Sequence, residues 1–270
     1  MDMYEVKGKN VLITGAASGI GKELSLLFAR DGANMVMDDM PEKKAVLDQW
    51  AGELKSKFDV RVWTFGINLA EESGAETLYR SALQAAGKID ILVNDAGTLA
   101  YGNFADIDYQ KQDFMVRTNV LAVFRLTRLA LPSMLKAGNG RILNMSSCSA
   151  FQPTVYHAAY AATKAFVQSM SEAVNAEIQG TGVKVLTFSP PYTKTPMLKD
   201  GNLPQKMFWY KISGLWDPAV IAAIGYKSFK RGKAICIPGA VNWFMHSIVV
   251  RLSPHSMLSA ISLRAMKGQD

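Results

Sequence analysis

Apolar residues along this chain fall into two alternating patterns. Short, nearly continuous apolar runs read as buried strands: "NVLITG" (10–15), "ANMVMDD" (33–39), "VRVWTF" (60–65), "IDILVNDAG" (89–97), "GRILNMSS" (140–147), "VKVLTFSPP" (183–191) and the brief "AICIPG" (234–239). Between them lie longer segments with apolar residues at helical spacing, over about 20–32, 42–57, 71–86, 110–137, 157–179 and 217–230. Strands that alternate with helices imply right-handed βαβ crossovers and a sheet covered on both faces. The expectation is a single α/β domain built on a doubly wound parallel sheet of about seven strands. No internal repeat, low-complexity tract or domain-splitting linker interrupts the 270 residues.

Two segments carry candidate chemistry. "TGAASGIG" (14–21) joins the first strand to the first helix. Gly15, Gly19 and Gly21 allow a tight turn and close backbone approach, and the helix N-terminus offers free N–H groups to a pyrophosphate. About twenty residues on, the second strand ends in Asp38–Asp39, where a carboxylate can accept from both ribose hydroxyls and repel a 2′-phosphate. The other segment is "YHAAYAATKAF" (156–166), which sets Tyr156, Tyr160 and Lys164 at successive i+4 spacings among small residues. A lysine one turn from Tyr160 favours its phenolate, as a general acid/base requires. Half-buried packing explains helix tyrosines equally well, and spacing alone does not choose between Tyr156 and Tyr160.

Composition changes this picture little. Hydrophobic residues make up 49% and charged residues 20%, as in ordinary globular proteins. The charged N-terminus lacks a secretory signal and no apolar run reaches the ~18 residues of a membrane span, so a cytoplasmic protein is expected. Cys148 and Cys236 read as buried thiols, and three scattered histidines give no metal-ligand spacing. The net charge of +7 has a location: seven Lys/Arg and no acidic residue lie between Pro218 and Gln269. No nucleic-acid-binding signature accompanies it, and no nucleic-acid partner is expected.

Taken together, "TGAASGIG", "NDAG" (94–97), Asn119, Ser147 and "YAATK" (160–164) resemble the signature set of the short-chain dehydrogenases/reductases, in the same order and spacing over about residues 7–240. The resemblance implies a Rossmann-type NAD-binding catalytic domain over 1–240 with a substrate loop at about 191–217. It also implies catalytic roles for Asn119, Ser147, Tyr160 and Lys164. Tyr160 begins the family's Y-x-x-x-K motif and becomes the general acid/base, with Tyr156 left as packing or pocket wall. Ser147, thirteen residues earlier, would donate to the substrate oxygen, and Asn119 would hold a proton-relay water near Lys164. Cofactor contacts are implied for Gly15, Ser18, Gly19, Ile20, Gly21, Asp39, Asn68, Leu69, Asn94, Ala96, Gly97, Tyr160, Lys164, Thr193 and Thr195. The chain departs from the family pattern at Asp95 (commonly Asn), at Asn68 (often Asp, facing the adenine) and at Pro190–Pro191 (usually Pro-Gly).

The substrate loop carries Met207, Phe208, Trp209, Tyr210 and Trp216, which suits a hydrophobic alcohol or ketone of steroid, acyl or cyclic type. Burial of the same rings in the core or against a subunit would give the same composition. Residues 241–270 form a basic extension readable as two short amphipathic helices broken by Pro254, suited to a membrane surface, a subunit contact or a cover over the pocket. The reading is an NAD(H)-dependent oxidoreductase, assembled as a homodimer or homotetramer. Two others stand beside it: an NADPH-dependent 3-oxoacyl-type reductase that uses Lys43 and Lys44, and a non-catalytic dinucleotide sensor.

Overall fold

The protein is described by a computed structural model covering residues 3–267. Seven parallel strands form one sheet in the order β3-β2-β1-β4-β5-β6-β7. They are β1 (Asn10–Thr14), β2 (Asn34–Asp39), β3 (Val62–Gly66), β4 (Ile91–Asn94), β5 (Gly140–Met145), β6 (Val183–Phe188) and β7 (Ile235–Cys236). The main covering helices are α1 (Gly19–Arg30), α2 (Lys44–Lys57), α3 (Gly74–Ala86), α4 (Tyr109–Val116), α5 (Val123–Ala137), α6 (Ala158–Glu177) and, later in the chain, Pro218–Lys230.

The continuous apolar runs are explained by burial on both faces. In β1, Val11 and Ile13 enter the core beneath α1, while Leu12 between them enters the opposite core beneath α3 and α5. The pleat divides β2 and β4 in the same way: Met35, Met37, Ile91 and Val93 face one side, Val36 and Leu92 the other. Strand order reverses between β1 and its two neighbours β2 and β4, and a crevice opens outside the carboxyl ends of strands at such a switch point.

Several elements differ from the periodicity reading. The long helix expected over 110–137 is interrupted by a π-helical segment, Arg117–Ala122, that carries Asn119. The helix expected from 157 begins at Ala158, and Tyr156 stands outside it with a left-handed φ of 62°. Tyr156 therefore does not share a helical face with Tyr160. The segment after β6 folds into two short helices, α7 (Pro196–Asp200) and α8 (Phe208–Ser213), so the helix Pro218–Lys230 is α9. The extension is helical from Ala240 to Leu252, where α10 (Ala240–Phe244) leads through a π segment into α11 (Val250–Leu252). After Ser253 and Pro254 the chain resumes as α12 (His255–Ala265).

Candidate active site

At the carboxyl ends of the central strands lies one continuous cavity of about 520 Å³. One end is the turn from β1 to α1. Gly15 there has φ 72°, and a Cβ on it would sit 2.9 Å from the Ala96 backbone. A Cβ on Gly21 would collide with the Gly15 carbonyl and the Asp95 carboxylate, so the loop closes only on hydrogen. The first turn of α1 contains no acidic side chain, which leaves its N–H groups open to an anion. Asp39 is clamped at this end: Oδ2 accepts from Ala17 N and Oδ1 from Met40 N, each at 2.9 Å, with Lys43 Nζ 3.8 Å from Oδ1. Asp38, fully buried beside it, accepts from Ile67 N at 3.0 Å, while its Oδ2 has no partner. Burial pushes its carboxyl up to about 8 against the Ile67 hydrogen bond, and the Asp39 charge adds to the rise.

The other end carries Ser147, Tyr160 and Lys164. Ser147 follows β5, caps a 3₁₀ turn through Ser149 N at 3.1 Å, and lies close enough to the Tyr160 phenol to draw its pKa down. Tyr160 and Lys164 come from successive turns of α6. Lys164 Nζ lies 5.7 Å from the centre of the Tyr160 ring and donates to the Met145 carbonyl at 3.0 Å. Burial lowers Lys164 to about 8, while Asp95 nearby favours its charged form. Burial raises Tyr160 to about 12, with Ser147 working the other way.

Asn119 stands behind this end rather than in its wall. Its Oδ1 accepts from Thr98 N at 2.9 Å, and its Nδ2 donates to Thr98 O at 2.8 Å and Thr163 Oγ1 at 3.1 Å. A Cβ on Gly97 would lie 3.1 Å from Asn119 Oδ1 and 3.4 Å from Lys164 Nζ, so amide and ammonium border the same small space. The glycine turn and the Ser147–Tyr160–Lys164 group, far apart along the chain, thus open into one cavity. The sequence signature of the short chain dehydrogenases matches residues 9–206.

The chain belongs to the short-chain dehydrogenase family.

It is therefore an oxidoreductase by family. It is 33% identical over 196 residues to the oxidoreductase UcpA of Salmonella typhimurium, spanning 72% of this chain and 73% of that one. Among solved structures it resembles a short-chain dehydrogenase from Sphingobium yanoikuyae in complex with NADPH, with TM-score 0.80 and 25% identity over 97% of this chain and 99% of the other. It also resembles a 3-ketoacyl-(acyl-carrier-protein) reductase from Brucella melitensis complexed with NADH, with TM-score 0.74 and 27% identity over 86% and 96%.

Within this dehydrogenase, Gly15, Ser18, Gly19, Ile20, Asp39, Leu69, Ala96, Gly97, Thr193 and Thr195 border the cavity together with the Ser147–Tyr160–Lys164 end. Three expected contacts do not. Asn68 turns its Oδ1 back onto Ala70 N at 3.0 Å, closing its own turn instead of facing the cavity. Asn94 ties the sheet together through Asn144 Oδ1 at 2.8 Å and Thr127 Oγ1 at 3.2 Å. Gly21 serves packing, as described. Of Met207, Phe208, Trp209, Tyr210 and Trp216, Trp209 reaches the wall, where Tyr192, Met197, Leu198 and Ile212 of the same loop join it. Met207 is buried in the protein, Phe208 is exposed, and the Tyr210 ring packs on Tyr192 at 5.1 Å.

The wall that sequence reasoning left open is the extension. Met245, Val249, Met257, Leu258, Ile261 and Met266 close the cavity from above. The cover is fastened by Tyr101 Oη donating to Met266 O and by Val155 N donating to Ser262 Oγ, both at 2.8 Å. His157 and Tyr192 also enter the wall without having been expected there. For His157 the only sequence signal was its place three residues before the motif tyrosine.

Proposed function

We propose that the protein is an NAD(H)-dependent oxidoreductase that interconverts a secondary alcohol and a ketone on a bulky hydrophobic substrate. One observation carries the reading: a single cavity joins the clamped Asp39 and the glycine turn to Ser147, Tyr160 and Lys164. The residues fit a dinucleotide. The glycine turn has room only for backbone, the α1 N-terminus suits a pyrophosphate, and Asp39 suits two ribose hydroxyls. NADH, when bound, supplies the hydride.

The chain's own part is to bind, orient and move a proton. With its proton held up to about 12, Tyr160 enters the reduction as an acid and gives that proton to the carbonyl oxygen as the carbon accepts hydride. Ser147 donates to the same oxygen, where negative charge develops. Lys164, beneath the ring, stabilises the phenolate left behind, and Asn119 holds the space beside Lys164 through which a replacement proton arrives. Methionine and leucine side chains of the extension exclude water and favour an apolar substrate body.

A 3-oxoacyl-type reductase using NADPH is the second reading: likeness to the Brucella enzyme supports its substrate class, and likeness to the NADPH-bound Sphingobium enzyme and Lys43 at the cavity rim support its cofactor. Against it, Asp39 is fixed by two backbone donors and would face a 2′-phosphate, and Lys44 is occupied with Asp48 at 2.6 Å. A non-catalytic sensor would have no use for the proton-handling end. Screening ketone reduction and alcohol oxidation with both cofactors tests the reading. Absence of turnover with either cofactor over a wide panel would sink it.

No helix among the described residues is long and apolar enough to cross a membrane. Trp243, Phe244 and Leu252 of the extension are nevertheless exposed, as is Arg251 next to Leu252, and we propose that the extension rests on an anionic lipid surface through them. Co-sedimentation with phosphatidylserine vesicles that persists in Leu252→Glu would refute it.

A further inference from the structure

We propose that His157 is a specificity-determining residue: it hydrogen-bonds a second, neutral oxygen function of the substrate, carried close to the reacting carbonyl. The preferred substrates are then vicinal or 1,3-dioxygenated ketones rather than simple ones. This inference rests on the ketone-reductase reading above.

The imidazole lies in the cavity wall and is 1% exposed. Neither ring nitrogen has a hydrogen-bond partner of acceptable geometry. Buried polar groups in folded proteins are nearly always paired, so an imidazole in a cavity wall whose nitrogens lack partners marks a place where a ligand completes the bonding. The ring is edge-on to three tyrosines, with centroids 5.2 Å from Tyr101, 6.2 Å from Tyr160 and 6.3 Å from Tyr192. None of these neighbours is an acid that would hold an imidazolium. Burial drives the imidazole down to about 4, although the Val155 backbone favours its protonated form. The ring is therefore neutral in ordinary buffers, with one N–H to donate and one nitrogen to accept. A hydroxyl, ether or carbonyl oxygen satisfies it, and a methylene does not.

Its position is built rather than incidental. Tyr156, immediately before it, is held in the left-handed region at φ 62°, a strained choice for a bulky residue. Gly102 N donates to the Tyr156 carbonyl at 3.0 Å, and His157 N donates to Thr154 O at 3.1 Å. The cover helix α12 anchors the same turn through Ser262 Oγ and Val155 N. The ring is thus set next to Tyr160, so the second oxygen must lie near the carbon that accepts hydride.

The test compares two pairs of ketones that differ by one hydroxyl: 2-hydroxyacetophenone with acetophenone, and 3-hydroxypropiophenone with propiophenone. Each is assayed with NADH on wild type, His157→Phe and His157→Gln. We expect the kcat/KM ratio of hydroxylated to parent ketone to fall at least about tenfold in His157→Phe for one pair or both, mostly through KM. That corresponds to ~1.4 kcal/mol. His157→Gln, which keeps a donor and an acceptor, restores part of the ratio. Ratios unchanged in both pairs, with all four ketones slowed alike, would overturn the proposal and leave His157 as packing. A measurement on the unmodified protein covers a variant that does not fold: the ¹⁵N resonances of the His157 ring should shift with 2-hydroxyacetophenone and not with acetophenone, and equal responses overturn the proposal. If wild type reduces none of the four, the wider panel with both cofactors decides the ketone-reductase reading. Calorimetric binding of the same pairs then decides the His157 contact alone: tighter binding of the hydroxylated ketone by wild type supports it, and equal binding overturns it.

Discussion

The ammonium of Lys164 points at the Met145 carbonyl oxygen, 3.0 Å away, while it stands 5.7 Å from the centre of the Tyr160 ring. The two groups are near enough to couple electrostatically yet are not hydrogen-bonded to each other. At that range we expect the ammonium to stabilise the phenolate formed when Tyr160 gives up its proton, and so to ease that transfer.

Removal of the phenol should therefore remove the proton transfer. Tyr160→Phe is expected to lower kcat by about 10²–10⁴ with dinucleotide binding retained, the range typical of a lost general acid. Tyr156→Phe, outside the cavity wall and packed on the Tyr101 ring at 5.4 Å, should keep activity within a few-fold. Steady-state kinetics beside fluorescence titration with NADH separate the two. The reverse ranking would reassign the acid.

Cofactor choice should follow Asp39. We expect kcat/KM to favour NADH over NADPH by at least about tenfold, which needs only ~1.4 kcal/mol. Asp39→Ala should narrow that preference, and because Asp39 also holds Ala17 N, it should weaken NADH binding at the same time. Equal use of both cofactors by the unmodified protein would show that Lys43 governs the site.

Asp38 should make stability depend on pH. Its carboxyl sits at about 8 in the fold against 3.8 when free, so the folded chain retains a proton that the unfolded chain has already lost. The protonated form stabilises the fold fully below about pH 4, and that contribution is lost as pH rises toward 8. Asp38→Asn, which keeps an acceptor for Ile67 N, should raise the melting temperature by at least about 2 °C more at pH 9 than at pH 4, as ~1 kcal/mol does in a domain of this size. A melting difference independent of pH would contradict this.

Assembly should involve the helices around the site. Leu121, Phe124 and Phe166 leave apolar side chains exposed on the segments from Arg117 to α6, and family resemblance implies a homodimer or homotetramer through these helices. Light scattering at micromolar concentration should give a multiple of the chain mass, reduced by Phe166→Glu. A monomeric wild type would refute the interface.

The alternation of buried strands and helices was legible along the chain because each strand is buried on both faces, so its apolar run is continuous, and each helix repeats at its own period. The shape of the glycine turn and the strand-end place of Asp39 were legible for a similar reason: both are local properties of the chain. Tyr160 needed the family's spacing to separate it from Tyr156, since four-residue periodicity treats both alike and does not reveal that the helix starts at Ala158. Tertiary packing decided the rest. Only the fold shows that Asn68 Oδ1 accepts from Ala70 N and that Asn94 Nδ2 ties β4 to Asn144. The C-terminal helices became the roof of the cavity because Tyr101 and Val155, more than a hundred residues earlier, supply their hydrogen bonds. The charge states of Asp38, Tyr160 and Lys164 depend on how much water the finished fold excludes, and desolvation belongs to the assembled structure rather than to any stretch of sequence.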